Sequence, residues 1–373
     1  MIQGRSGFRG FSLGLTLLWA MARAEDPFAG MTTPAAGPLP APAKGFFREN
    51  FTFKKELYSQ FSWDSGPGGD PYSRQSVGME ALKVFSSSTA KVASLDIQAR
   101  LVRRDRFAPT VNDREGMDRP GWFLELHNLY LDLYDVVGSG GQVNVRAGRF
   151  YPPFGLNLQT DTHGTLLQLS NERNFGFERD WYAGLWGAAT EDLNYDVDYL
   201  MGSGYDLSAK GQDGLAGARL SLANRYRNEF GLEGGVSFLG GERLDMDSDK
   251  VRTLRTGLDG RWTHLVPAGS LSLLAELSAG RDNGESVFTE LYQAEVLTPR
   301  RQWGLSAQYR RFWQDLGPGP RADASVFGEL AYYFRNDVGG AFLDSLRLNL
   351  ERQVERQTGS EASIVTLQYY RYW

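Results

Sequence analysis

SIVTLQYYRYW, Ser363–Trp373, is the stretch on which the reading of this chain turns. Val365, Leu367 and Tyr369 recur at every second position, and the given sequence stops on an indole, Trp373. Strict alternation of apolar and polar residues describes a strand with two unlike faces. Aromatic residues closing such an apolar face suit the boundary between lipid and water. An open strand edge cannot face lipid, so this strand is expected to pair with the first strand of the chain.

The same period runs back through the sequence. Leu346, Leu348, Leu350 and Val354 alternate with Arg347, Asn349, Glu351 and Gln353. Leu95, Ile97, Ala99 and Leu101 alternate with Ser94, Asp96, Gln98 and Arg100, and Tyr195, Val197 and Tyr199 with Asn194, Asp196 and Asp198. Over 303–313, Trp303, Leu305, Ala307 and Tyr309 alternate with Gly304, Ser306, Gln308 and Arg310. Several runs reach about nine to eleven residues, the length of a tilted strand crossing a bilayer.

Strands are predicted over 51–61, 76–85, 91–102, 122–134, 142–150, 181–188, 193–201, 215–222, 229–239, 252–263, 270–280, 287–297, 302–313, 323–334, 343–354 and 362–373. Their connections fall into two series. One is brief: 86–90, 135–141, 190–193, 223–228, 267–269 and 298–301. The other holds 62–75, 103–121, 151–180, 202–214 and 240–250, and shortens to 281–286 and 355–361. Short turns at one end and long loops at the other are the pattern of outer-membrane barrels. The expectation is all-β: a transmembrane antiparallel β-barrel of about 16 strands, with about 14 or 18 also fitting the spacing.

Composition agrees. The chain has 373 residues, 41% hydrophobic and 23% charged, and no stretch approaches the ~20 apolar residues of a spanning helix. Arg5 and Arg9 precede an apolar run, Phe11–Met21, and then Ala22-Arg23-Ala24. That is the order of a secretory leader, so residues 1–24 are expected to be removed near Ala24. Removal takes three arginines and no acid, moving the net charge from −5 to −8, and no nucleic-acid partner is expected. Residues 25–45 include the Pro/Ala-rich run MTTPAAGPLPAPAK and read as a linker, leaving 46–373 for the barrel. The absence of cysteine excludes a disulfide framework, Cys-ligated zinc and covalently attached c-type haem.

Arg149-Phe150-Tyr151-Pro152-Pro153-Phe154-Gly155-Leu156 ends the fifth predicted strand and opens what is, by count, the third long loop. Together with ELHNLYLDL (125–133), this stretch resembles the phosphate-selective porin family, the O and P porins; the detailed resemblance covers roughly 120–190. The C-terminal strand is likewise similar to the ending that outer-membrane proteins present to their assembly machinery, with Trp in place of Phe and Arg371 interrupting the apolar face. The resemblance implies a third extracellular loop folded into the lumen and narrowing it. Prolines 152 and 153 cannot donate to a ladder, so the strand must stop there. Leu156, Leu158, Leu166, Leu167, Leu169, Phe175 and Phe177 give the loop an apolar surface to bury, against the interior or as a lid over the mouth.

Charge at that narrow point is expected from Arg149, Arg173, Arg179, Glu172 and Asp180, with His163 on the loop and Arg146 and Arg100 on the wall. The polar faces mix signs: Arg100, Arg146, Arg255, Arg261, Arg310 and Arg347 meet Asp96, Asp196, Asp198, Asp259, Glu276, Glu329 and Glu351. Such a lumen does not carry phosphate specificity over. His127, beside Glu125, reads as a hydrogen-bonded lumen residue, and His264 as part of a periplasmic turn.

No catalytic constellation emerges. No Ser–His pair has strand spacing for a barrel lipase, and DMDSDK (245–250) lacks the Gly and terminal Glu of an EF-hand loop. Neither enzyme activity nor a cofactor or metal is expected. Two functions fit the barrel: a passive porin for small hydrophilic solutes or ions, monomeric or a homotrimer, and a sheath insulating a multihaem cytochrome for electron transfer. Either would lie in the outer membrane of a Gram-negative bacterium, in contact with its lipid.

Overall fold

The computed structural model describes residues 50–65, 71–87, 90–105, 121–138, 140–156, 166–167, 178–203, 214–222, 230–244, 249–315, 320–337, 342–355 and 362–373. The expected leader 1–24 and linker 25–45 lie outside the described residues, as do 106–120, 157–165 and 168–177 of the long connections.

Among the described residues every regular element is a strand. They are β1 Phe51–Asp64, β2 Tyr72–Ser86, β3 Lys91–Arg104, β4 Gly121–Val137, β5 Val143–Phe150, β6 Asp180–Ala188, β7 Leu193–Leu200 and β8 Leu215–Leu222. The second half holds β9 Gly231–Leu244, β10 Lys250–Val266, β11 Gly269–Asp282, β12 Glu285–Leu297, β13 Trp303–Asp315, β14 Pro320–Asn336, β15 Leu343–Glu355 and β16 Ser363–Tyr372. Each pairs with its neighbours in sequence, and β16 returns to β1 to close the barrel.

The closing seam is made by Ser363–Trp373 against β1. Phe61 and Trp63 stand opposite Leu367 and Val365, while Gln60 and Ser62 stand opposite Gln368 and Thr366. Trp373 extends the ladder, donating its N–H to the Lys55 carbonyl at 3.0 Å and accepting from the Lys55 N–H at 2.8 Å. No edge is left between the first strand and the last.

Register turns sequence parity into two unlike surfaces. One row reads Leu271, Val296, Leu305, Leu330, Leu348, Leu367 and Phe61 across seven strands, and it faces outward. The adjacent row reads Glu295, Ser306, Glu329, Asn349, Thr366 and Ser62, and it faces inward. A one-residue slip would exchange the two surfaces, so register is strongly specified. At the end that holds the C-terminus, Trp303, Tyr332 and Phe334 form an exterior aromatic cluster, with centroids 4.7 and 5.0 Å apart. Trp122, at the opposite end of β4, is 64% exposed.

Three local findings depart from the pattern. His264 is not in a turn: β10 runs on to Val266, and the imidazole stacks on Trp262 at 5.2 Å on the outer face. The predicted connection 281–286 shrinks to Asn283 and Gly284, both at positive φ, the tight hairpin that an Asn-Gly pair favours. In β4 a register shift opposite Gln98 and Ala99 leaves His127 as an extra residue, so His127 and Asn128 both serve the inner face and the outward phase resumes at Leu129.

Candidate functional site

The interior is built from ion pairs. On the β1–β4 wall both Glu56 oxygens lie 2.6 Å from Arg100 nitrogens, and Arg100 also meets the His127 ring. His127 Nε2 lies 3.1 Å from Glu125, which accepts from Arg74 at 3.2 Å. Across the barrel Arg347 donates to Glu329 at 2.7 Å and to the Tyr333 hydroxyl at 3.3 Å. Arg255 and Arg243 share Asp282 at 2.7 and 3.2 Å. Buried charges of this kind are tolerated because each is paired and hydrogen-bonded.

One apolar cluster interrupts this polar lining. Phe150, Tyr151, Phe154, Tyr182, Leu200, Leu215 and Leu239 pack together where β5 ends. The segment after β5 then touches several walls. Gly155 N–H donates to Ser237 of β9 at 3.1 Å, and Leu156 N–H to Glu276 of β11 at 3.1 Å. Further on, Leu166 N–H donates to Glu329 of β14 at 3.2 Å. Phe154 rests on Gly257 of β10, where an added Cβ would come within 2.6 Å of its ring. A glycine there is a seat for the ring.

The residues expected to line the narrow point separate into distinct roles. Arg146 faces inward and forks onto Asp132 at 2.6 and 3.0 Å, under the rings of Tyr130 and Phe150 at 4.7 and 4.5 Å. Arg100 is held in the β1–β4 network. Arg149 stands in the outer row, between Leu129 and Trp181, and its Nε donates to the Leu126 carbonyl at 3.2 Å. It braces the β4 edge where pairing with β5 stops. Arg179 stacks on Tyr151 at 4.3 Å, donates to that hydroxyl at 2.5 Å and to Glu178 at 3.0 Å. Asp180 accepts from Gly202 N–H at 2.6 Å, from Ser203 Oγ at 2.7 Å and from Trp181 N–H at 2.8 Å, tying the start of β6 to the end of β7. His163, Glu172 and Arg173 lie outside the described residues.

Beneath Tyr151–Pro153 lies a cavity of about 490 Å³, walled by the inward faces of β5 to β10. Arg219 and Glu233, which the sequence did not single out, belong to it with Asp196, Asp198 and Arg261. Arg219 pairs with Asp259, and Arg261 with Glu233 at 2.5 Å.

No protein-family model matches this sequence, and no curated protein matches it. Solved structures do share its fold. OprB of Pseudomonas putida is 12% identical with a TM-score of 0.60, over 87% of this chain and 94% of that one. The anion-selective porin of Comamonas acidovorans is 10% identical with a TM-score of 0.55, over 87% and 99%. The outer-membrane protein OmpT of Vibrio cholerae, in its trimer form, is 10% identical with a TM-score of 0.51, over 87% and 99%. At such identity the likeness establishes the closed 16-strand porin fold.

Proposed function

We propose that this chain is a passive channel in the outer membrane of a Gram-negative bacterium, passing small hydrophilic solutes and ions. The observation that carries the proposal is the pair of adjacent rows, one apolar and outward, one polar and inward, running unbroken across the β1–β16 seam. An exterior of Leu, Val and Phe wants lipid, and an interior of paired charges wants water. The porin likeness supports the same reading, and the expected leader is the route to that membrane. A trimer is the assembly to test first.

The narrow point is assigned to Tyr151–Leu156, with Arg146 on the wall below and Arg179 and Asp180 fixing the chain where it returns to β6. The resemblance of 149–156 to phosphate-selective porins extends to this strand ending and not to ion preference. The contacts of Gly155, Leu156 and Leu166 with three separate walls weigh against a sheath, which needs an unobstructed bore for its cytochrome.

The test is a planar bilayer with purified, refolded protein in KCl. Discrete ohmic steps are expected, and Phe154→Ala should enlarge them. Electrical silence of a folded, heat-modifiable protein would overturn the channel; a co-purifying haem protein would favour the sheath.

A further inference from the structure

The cavity under Tyr151–Pro153 is unevenly balanced, and the imbalance is specific. Its three arginines are each taken: Arg146 by Asp132, Arg219 by Asp259, Arg261 by Glu233. Asp196 and Asp198, both facing the same cavity from β7, have no hydrogen bond or ion pair among the described residues. Arg146 acts on both, and Arg219 on Asp196, through the electrostatic field alone. Asp198 is only 8% exposed. It stands opposite Gly184 of β6, and its carboxylate fills the space a side chain there would occupy. A carboxylate with so little exposed surface normally has a partner, because leaving it unmatched is costly.

We propose that this cavity is a subsite for a small organic cation carrying one or two primary ammonium groups. The inference rests on the channel reading and names a solute class for it. Asp196 and Asp198 project from the same strand face two positions apart, so their side chains are separated by roughly 7 Å along β7. An ammonium can donate to both in turn, or a short diamine can engage both together. Phe150, Tyr151 and Tyr182 line the cavity with apolar surface that accommodates a hydrocarbon backbone. The volume falls in the range of sites that enclose small organic molecules. A bare metal ion fits less well: among the described residues no three acidic or histidine side chains converge as ligands.

The test is calorimetric titration of the folded, full-length protein in detergent micelles with 1,4-diaminobutane, using 1,4-butanediol as the uncharged control. The diamine should bind and the diol should not. The double variant Asp196→Asn/Asp198→Asn should weaken diamine binding at least tenfold. Glu285→Gln, an inward carboxylate of β12 outside the cavity, should leave binding within twofold. Diamine binding equal in wild type and double variant would overturn the assignment, as would equal weakening by Glu285→Gln. Magnesium binding in place of the diamine would also overturn it. Conductance without diamine binding would strike this inference alone; binding without conductance would strike the channel reading and leave the subsite standing.

Discussion

Leu350 of β15 is the position at which water and lipid make opposite forecasts. It faces outward, 54% exposed, between Gly328 and Val365. It lies four positions beyond Leu346, which pairs with Tyr332 in the aromatic cluster. At about 3.3 Å per residue and a tilt near 40°, four residues climb ~10 Å into an apolar band ~25 Å tall. Arg352, the next outward residue, has a side chain long enough to carry its charge toward the far boundary. Leu350→Arg should therefore cost about 2–4 kcal/mol, roughly 30- to 700-fold in the folding equilibrium. Leu346→Arg and Val354→Arg sit on the same face near the two boundaries and should cost about 0–1 kcal/mol each. Protein refolded into phospholipid vesicles and unfolded in guanidinium, followed by Trp fluorescence, gives the three values. If the exterior faced water, every one of these exposed substitutions would stay within about 0.5 kcal/mol. A flat profile along Leu346, Leu350 and Val354 therefore refutes the membrane reading; a maximum at Leu350 is required.

Gly257→Val should unseat Phe154 and raise single-channel conductance in the same direction as Phe154→Ala; unchanged conductance in both would show that Tyr151–Leu156 does not limit the path. Glu56→Ala removes both carboxylate contacts of the buried Arg100 guanidinium and should cost about 3–5 kcal/mol by the same unfolding assay, whereas Glu56→Leu with Arg100→Met should recover most of it. Full loss in the apolar double variant would contradict that account. At the β14 end, hydrogen bonds from Arg335 hold the Asp337 carboxyl below its usual range. Whatever that pair contributes is present above the unfolded-state value, about 3.9, and is lost as pH falls through the lower folded one. Carboxyl chemical shifts should give a midpoint below that of a model peptide, and high salt should move it back up; a midpoint at or above the peptide's would refute the pairing.

The strands were legible because parity is a one-dimensional record of a two-sided surface. Leu346, Leu348 and Leu350 need no partner to reveal their phase, and all sixteen predicted strands coincide with observed ones. What parity cannot carry is any event that changes it. His127 and Asn128 break the alternation of ELHNLYLDL, and two adjacent polar residues between leucine runs of opposite phase were the trace of the bulge. Asn283-Gly284 was a direct turn signal, hidden because Arg281, Asp282, Glu285 and Ser286 look like loop. Those polar residues are strand all the same, since ladders can continue past the apolar band into water.

The interior was legible by sign and not by partner. The alternation of Asn194, Asp196 and Asp198 with Tyr195, Val197 and Tyr199 places both carboxylates inside, but whether they are neutralised depends on strands far away in sequence. Arg219 could have served Asp196, its cross-strand partner in the β7–β8 ladder, yet its guanidinium reaches Asp259 on β10 instead. Arg149 shows the opposite limit. Its sequence neighbours carry the resemblance, but one residue of phase sets it in the outer row, where it accepts a backbone task at Leu126. Local sequence fixes which face a charge occupies. The choice among competing partners on that face is made by curvature, by glycines such as Gly184 that yield space, and by the segment that crosses above. Among the described residues that choice leaves the carboxylates of Asp196 and Asp198 without a hydrogen-bond or ion-pair partner.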